Sequence, residues 1–263
     1  MKRILLRVAY DGTDYHGYQS QENGNTIEAE LLKAITELTG ESPELLGGSR
    51  TDAGVHAEDN VVVFDTESSI PGMKFSFALN SFLPEDIRIT SSREVDLSFH
   101  PRHCDTVKTY EYRIENSLFD NPIKRRFCAD NHYPLNIEAM QKAAELIVGE
   151  HDFSSFCSAG AQVDSKVRTV YSCNVRAVDS KGNIFAGITN PSDEVVDILI
   201  RISGNGFLYN MVRIIAGTLM EVGRGAVPPE SISEIIELKD RQKAGPTAPA
   251  RGLVLKEYRF IED

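Results

Sequence analysis

From Phe207 to Val222 the chain is a long, strongly apolar stretch of helical character, with one cation, Arg213, set inside it. A helix of that composition has to be buried, and Gly223 supplies its end. A guanidinium carried into the same surroundings is costly unless an anion meets it. The fold must therefore bring a carboxylate or a phosphate to Arg213. Asp52 is one candidate, although spacing alone does not pair residues so far apart.

The remaining pattern reads as strands and helices in alternation. Ile4 to Tyr10 alternates as a strand, and Asp11-Gly12-Thr13-Asp14 supplies turn chemistry after it. A helix follows, capped by Asn25 or Thr26, with Ile27, Leu31, Ala34, Ile35 and Leu38 on one face and Gly40 at its end. A polar, glycine-rich loop (47–57) then precedes a β-branched run from Val61 to Phe64. A short helix over Phe75 to Leu83, stopped by Pro84, and a strand over Ile87 to Thr90 complete the first half. Loop-like text around Phe99 to Asp105 marks a boundary, giving domains 1–103 and 104–263. The second half repeats the order: strands at Lys108–Ile114, Val167–Val178 and Val195–Ser203, and a helix over Ile137 to Val148 capped by Asn136 and closed by Gly149. The Phe207–Val222 helix and a last strand, Gly252 to Arg259, follow. The architecture inferred is α+β, with two halves, each an antiparallel sheet with helices on one face.

Two further segments hold chemistry-bearing side chains. The loop Gly48-Ser49-Arg50-Thr51-Asp52-Ala53-Gly54-Val55-His56 puts a cation two residues from an anion, among glycines that admit close approach. Such a loop is either a site or a demanding turn. His56 has no partner at metal-ligand spacing, and a turn or surface role suits it. In Lys108-Thr109-Tyr110-Glu111-Tyr112 the two tyrosines share one strand face, which is either packed into the core or a stacking platform for a nucleobase.

Charge pulls the other way. The chain of 263 residues has a formal net charge of −11, unlike a generic nucleic-acid binder. An RNA partner needs a local basic surface within this acidic whole. No apolar run has the length of a membrane span, and Met1 to Arg7 is too short an apolar stretch for a signal peptide, so a cytoplasmic protein is expected. Cys104, Cys128, Cys157 and Cys173 are widely spaced, suggesting reduced thiols rather than a disulfide framework or a zinc site.

Six segments, in order over nearly the whole chain, resemble the tRNA pseudouridine synthase A family. They are Tyr10-Asp11-Gly12-Thr13-x-Tyr15-x-Gly17-x-Gln19-x-Gln21, Gly48-x-Arg50-Thr51-Asp52-x-Gly54-Val55-His56-Ala57 and Leu83-Pro84-x-Asp86-Ile87 in the first half. Phe99-His100-x-Arg102, Gly149-Glu150-His151-Asp152-Phe153-x-Ser155-Phe156 and Met211-Val212-Arg213-x-Ile215-x-Gly217 follow. Where the family usually has Trp in its opening motif, this chain has Tyr18.

The resemblance implies two RNP-like or ferredoxin-like α/β halves with a cleft between them, the pseudouridine synthase fold. It implies isomerisation of uridine to pseudouridine in the anticodon stem-loop of tRNA, at family positions 38, 39 and 40, by a homodimer that needs no cofactor and no metal. Asp52 matches the catalytic nucleophile and Tyr110 the tyrosine that stacks on the target base. Arg213 matches the arginine that pairs with the aspartate, which would answer the demand for an anion. Arg50 matches the arginine that pushes the base out of its stack. Lys108, Lys124, Arg125, Arg126, Lys166, Arg168, Arg241, Lys243 and Arg251 are then available to face RNA, with charge segregated into a basic cleft and an acidic outer face. Competing readings are a synthase for other RNA positions, a non-catalytic RNA-binding module, and an enzyme for a small acidic substrate. No Walker loop or dinucleotide fingerprint supports the last.

Overall fold

Alternation in the first residues builds β1 (Lys2–Tyr10), whose inward positions Ile4, Leu6 and Val8 are fully buried. The computed structural model describes residues 1–22, 24–161, 163–179, 182, 184–185 and 195–261. The chain divides into two compact units, Met1–Thr106 joined by the C-terminal segment from Val254, and Val107–Leu253.

In the first unit, α1 (Ile27–Thr39) starts where Thr26 caps it, the Ala29 amide donating to Thr26 Oγ1 at 3.3 Å, and stops at Gly40 in the left-handed region. Ile27, Leu31, Ala34 and Ile35 form its buried stripe, and Leu38 is only half-buried. β2 (Leu46–Gly47), β3 (His56–Thr66), α2 (Phe75–Leu79) and β4 (Ile87–Val95) follow. β1 lies antiparallel between β3 and β4, and on its opposite face Leu5 packs in a second buried cluster with Val61, Val63 and Tyr258. The helix expected over 75–83 is shorter, five residues, because a 3₁₀ turn (Gly72–Lys74) leads into it and Asn80 turns back to bond β4 at Ile89.

The second unit runs through β5 (Thr106–Asn116), β6 (Ala129–Asn131), α3 (Ile137–Glu145), β7 (Gly149–Asp152), β8 (Val167–Asp179), β9 (Ile184–Phe185), β10 (Val195–Gly204), α4 (Met211–Gly223) and α5 (Ser231–Leu238). Its sheet has the order β5-β10-β8-β7, antiparallel throughout, with β6 parallel beside β5 and β9 antiparallel beside β8. The last strand is β11 (Leu253–Phe260). The sequence reading gave it to the second half, whereas it pairs in parallel with β3, Val254 opposite His56 and Leu255 opposite Ala57. The first unit is therefore assembled from both ends of the chain.

Two helices differ from expectation. α3 ends at Glu145, with Leu146 as its cap, and not at Val148, because Gly149 takes φ 122° and opens β7. α4 begins at Met211 rather than Phe207, since Asn210 sits at φ 60°, ψ 7°, a conformation that cannot continue into a right-handed helix. Within α4, Ile214, Ile215 and Leu219 are fully buried, each contributing about 1.5–3 kcal/mol of transfer free energy. At Gly217 the chain from Gly245 to Ala248 crosses so closely that a Cβ would stand 1.9 Å from the Pro246 carbonyl oxygen. α5 was not anticipated, though Ile232, Ile235 and Ile236 carry its buried face. No helix of the described residues is long and apolar enough to cross a membrane.

Candidate active site

Asp52 lies, half-buried, in the loop between β2 and β3, and the Tyr10–Tyr18 segment and Asn60 of β3 close on that loop. The Tyr18 amide donates to the Thr51 carbonyl at 3.0 Å, and the Gly54 amide to Tyr15 O at 3.3 Å. Tyr10 Oη and Thr51 Oγ1 are 2.7 Å apart in the core, and Asn60 Nδ2 joins them by donating to both Tyr10 Oη and Ser49 O. The Val55 amide returns to the Asp52 carbonyl at 3.1 Å, with Gly54 between them at φ 77°. Gly12 meets the loop so closely that a Cβ there would lie 2.0 Å from Val55 O. Asp86 in turn braces the Asp11–Tyr15 stretch, its carboxylate accepting from the Tyr15 hydroxyl at 2.7 Å and its carbonyl from the Asp11 amide at 2.9 Å. The carboxylate is thus mounted on a backbone pinned from several directions, while Arg50, two residues earlier, is exposed.

His56 is not at the surface. It is 2% exposed, its Nδ1 accepts from the Gly12 amide at 3.0 Å, and Asp11 Oδ1 lies 3.1 Å from the same nitrogen. It anchors the turn to the Asp11-Gly12 segment. Tyr18 is also buried, and among the described residues its hydroxyl is the one buried side-chain polar atom with no hydrogen-bond partner. Burial pushes that phenol well above its ordinary range.

In the second unit Tyr110 and Tyr112 share the β5 face opposite Ile202 and Ile200. Tyr112 is committed to the core, fully buried with its hydroxyl donating to Pro249 O at 2.8 Å. Tyr110 packs edge-on against Phe207, with ring centroids 5.2 Å apart. Arg213, on the first turn of α4, is half-buried rather than enclosed. Its Nε donates to Ala248 O and its Nη1 to Asn210 Oδ1, both at 2.8 Å. Asp52 and Arg50 therefore belong to the first unit, and Tyr110 and Arg213 to the second. Among the described residues no group of three or more His, Cys, Asp or Glu side chains is placed to hold a metal.

A family model described as tRNA pseudouridine synthase matches residues 7–103 and 143–260. The chain is 46% identical over 260 residues to tRNA pseudouridine synthase A of Brevibacillus brevis, covering 99% of this chain and 100% of that one. It is 44% identical over 263 residues to the protein of that name from Syntrophomonas wolfei, covering 100% and 99%. Against that of Acetivibrio thermocellus it is 46% identical over 262 residues, covering 99% and 100%. The chain belongs to the tRNA pseudouridine synthase A family.

Membership in the tRNA pseudouridine synthase A family gives the mixed α/β architecture its name, the pseudouridine synthase fold. Several cations that sequence offered to RNA have internal duties. Lys124 Nζ is 2.7 Å from Asp197 Oδ1, Arg251 pairs with Asp130, and Arg241 donates to Gly245 O at 2.9 Å and to Thr247 Oγ1 at 3.1 Å. Although burial opposes the charge on Lys124, Asp197 and Glu115 outweigh it and its pKa is raised. Arg125, Lys166 and Lys243 are exposed. Sequence reasoning missed Asn210 and the Gly12–Val55 contact. No pattern marks either, because both depend on where the backbone goes.

Proposed function

We propose that this chain isomerises uridine to pseudouridine in tRNA, in the anticodon stem-loop at positions 38, 39 and 40, with Asp52 as the nucleophile. The single observation that carries the reading is the pinning of the Asp52 loop by the Tyr10–Tyr18 segment and Asn60, within a chain of this family. A loop held in this way keeps one carboxylate in one place, which a covalent or charge-stabilising role requires.

The reaction needs no net reagent. The bond from uracil N1 to C1′ breaks, the base turns, and a bond from C5 to C1′ forms. C5 loses a proton and N1 gains one. A carboxylate can serve by bonding covalently or by stabilising an electron-poor sugar, as in glycoside hydrolysis. Unlike that reaction, water must be kept out while the base turns. Tyr110 is assigned to stack on the target base, Arg213 to pair with the catalytic carboxylate, and exposed Arg50 to extrude the base. The enzyme works as a cytoplasmic homodimer without metal or cofactor.

Purified protein and Asp52→Asn are incubated with unmodified tRNA transcript, without added metal or nucleotide, and pseudouridine is mapped by carbodiimide-stopped primer extension. Conversion confined to the anticodon stem-loop, by the native protein alone, is the expected result. Equal tRNA binding by both proteins with no conversion by either would leave an RNA-binding module in place of the enzyme.

A further inference from the structure

We propose that Asn210 is a positioning residue for this reaction, held in a strained backbone conformation so that its side-chain oxygen fixes the guanidinium of Arg213. The proposal rests on the role given to Arg213 above.

Among the described residues only Asn210 and Lys239 are non-glycine residues with positive φ. Lys239 ends α5, where a left-handed residue is common. Asn210 precedes α4, where the usual N-cap is extended and offers its side chain to the first free amides. Asn210 makes no such bond. Its Oδ1 instead accepts from Arg213 Nη1 at 2.8 Å, and its Nδ2 donates to Ser158 Oγ at 3.0 Å. Both ends of the amide are therefore used, one on Arg213 and one on a neighbouring loop. That loop is itself tied back, the Ser158 amide donating to Tyr209 O at 3.2 Å.

A residue that forgoes its cap and accepts an unfavourable backbone has a strong claim on it elsewhere. The geometry identifies that claim as the guanidinium. Arg213 Nε donates to Ala248 O at 2.8 Å, while the Ala248 amide donates to Arg213 O at 3.1 Å. With Asn210 at Nη1, the planar fork is located by two neutral acceptors, Ala248 O and Asn210 Oδ1. Neutral acceptors orient a guanidinium and leave its full charge for an anion, whereas a carboxylate at 210 would compete for that charge.

The test uses full-length protein and tRNA transcript under single-turnover and steady-state conditions, with thermal midpoints measured in parallel. Asn210→Gly takes the left-handed backbone without strain but has no acceptor. It is expected to keep or raise its midpoint and its KM, and to lose about 10- to 100-fold in kcat. Asn210→His tolerates positive φ and carries Nδ1 at the same branch, so it restores most of the lost rate. Ser158→Ala, which frees the far end of the amide, lowers kcat by a smaller factor. Native kcat in Asn210→Gly, or a folded Asn210→His as slow as the glycine variant, overturns the proposal. Arg213→Gln separates the two claims. If it is inactive while Asn210→Gly is fully active, only the positioning role fails. If it retains native activity, the role of Arg213 fails and the proposal with it.

Discussion

Gly12 is the position at which the smallest change should disturb the Asp52 loop most. A methyl group there would stand 2.0 Å from the Val55 carbonyl oxygen and 2.7 Å from its carbon, both backbone atoms. Since carbon and oxygen approach no nearer than about 3.2 Å without repulsion, the two segments must part by more than 1 Å. Val55 transmits that movement, because its amide is bonded to the Asp52 carbonyl at 3.1 Å. At the proposed nucleophile a displacement of this size costs about 100-fold, or roughly 2.7 kcal/mol of transition-state stabilisation. Overpacking should also lower stability by about 1–3 kcal/mol. The assay is the rate of pseudouridine formation by Gly12→Ala, run well below the variant's own thermal midpoint so that unfolding makes no contribution. Gly40→Ala is the control. Gly40 has φ 74° with nothing within 4 Å of its missing Cβ, so that variant should lose about 1 kcal/mol of stability and no activity. A folded Gly12→Ala with native kcat would show that this contact does not set the position of Asp52.

Removing the unpartnered hydroxyl in Tyr18→Phe should raise stability by about 1–3 kcal/mol, visible as a higher denaturant midpoint with unchanged slope. A lower midpoint would mean that the hydroxyl has a partner. Asp65 accepts from Arg3 Nε and Nη2 at 2.7 and 2.8 Å, and that bonding to Arg3 holds its carboxyl below the ordinary range. Its contribution is present at neutral pH, down to the unfolded value near 4, and is lost as pH falls through the depressed folded value. Asp65→Asn should therefore be less stable than the native protein at pH 7, by under about 1 kcal/mol because the pair is part-exposed, and equal to it in strong acid. A gap that persists in acid would assign the effect to something other than the charge.

Periodic segments were legible in the sequence. The Thr26 and Asn136 caps, the Gly40 stop and the buried stripe of α1 follow from local rules that need no tertiary information. The start of α4 did not follow, because Phe207 to Asn210 is as apolar as a helix requires and only the backbone at Asn210 excludes it. β11 was found as a strand but placed in the wrong unit, since a strand's pattern says what it buries and not what lies beside it. At the site, Asp52 and Arg50 stood out by sequence resemblance and by an unusual loop. A core place for Tyr112 was one of two readings of its strand face, whereas the bonds of His56 to Gly12 and of Tyr112 to Pro249 were invisible because those partners are distant in the chain. Arg213 was singled out by the cost of burying it and by resemblance, and two of its actual partners are neutral oxygens.

The parallel pairing of β11 with β3 has a consequence for biosynthesis. Its strand partner leaves the ribosome roughly 190 residues before it does. At about 5–20 residues per second, translation delivers the closing strand some 10–40 s after β3 has emerged. During that interval the edge of β3 is open on the nascent chain, while Val107–Leu253 is made and can fold as a continuous unit. The stretch left open is the His56–Ala57 end, since Leu46 and Gly47 of β2 already pair with Val63 and Val62, and an unpaired edge there is a template for wrong pairing, which makes this the stage at which a chaperone or a slowed ribosome would matter most.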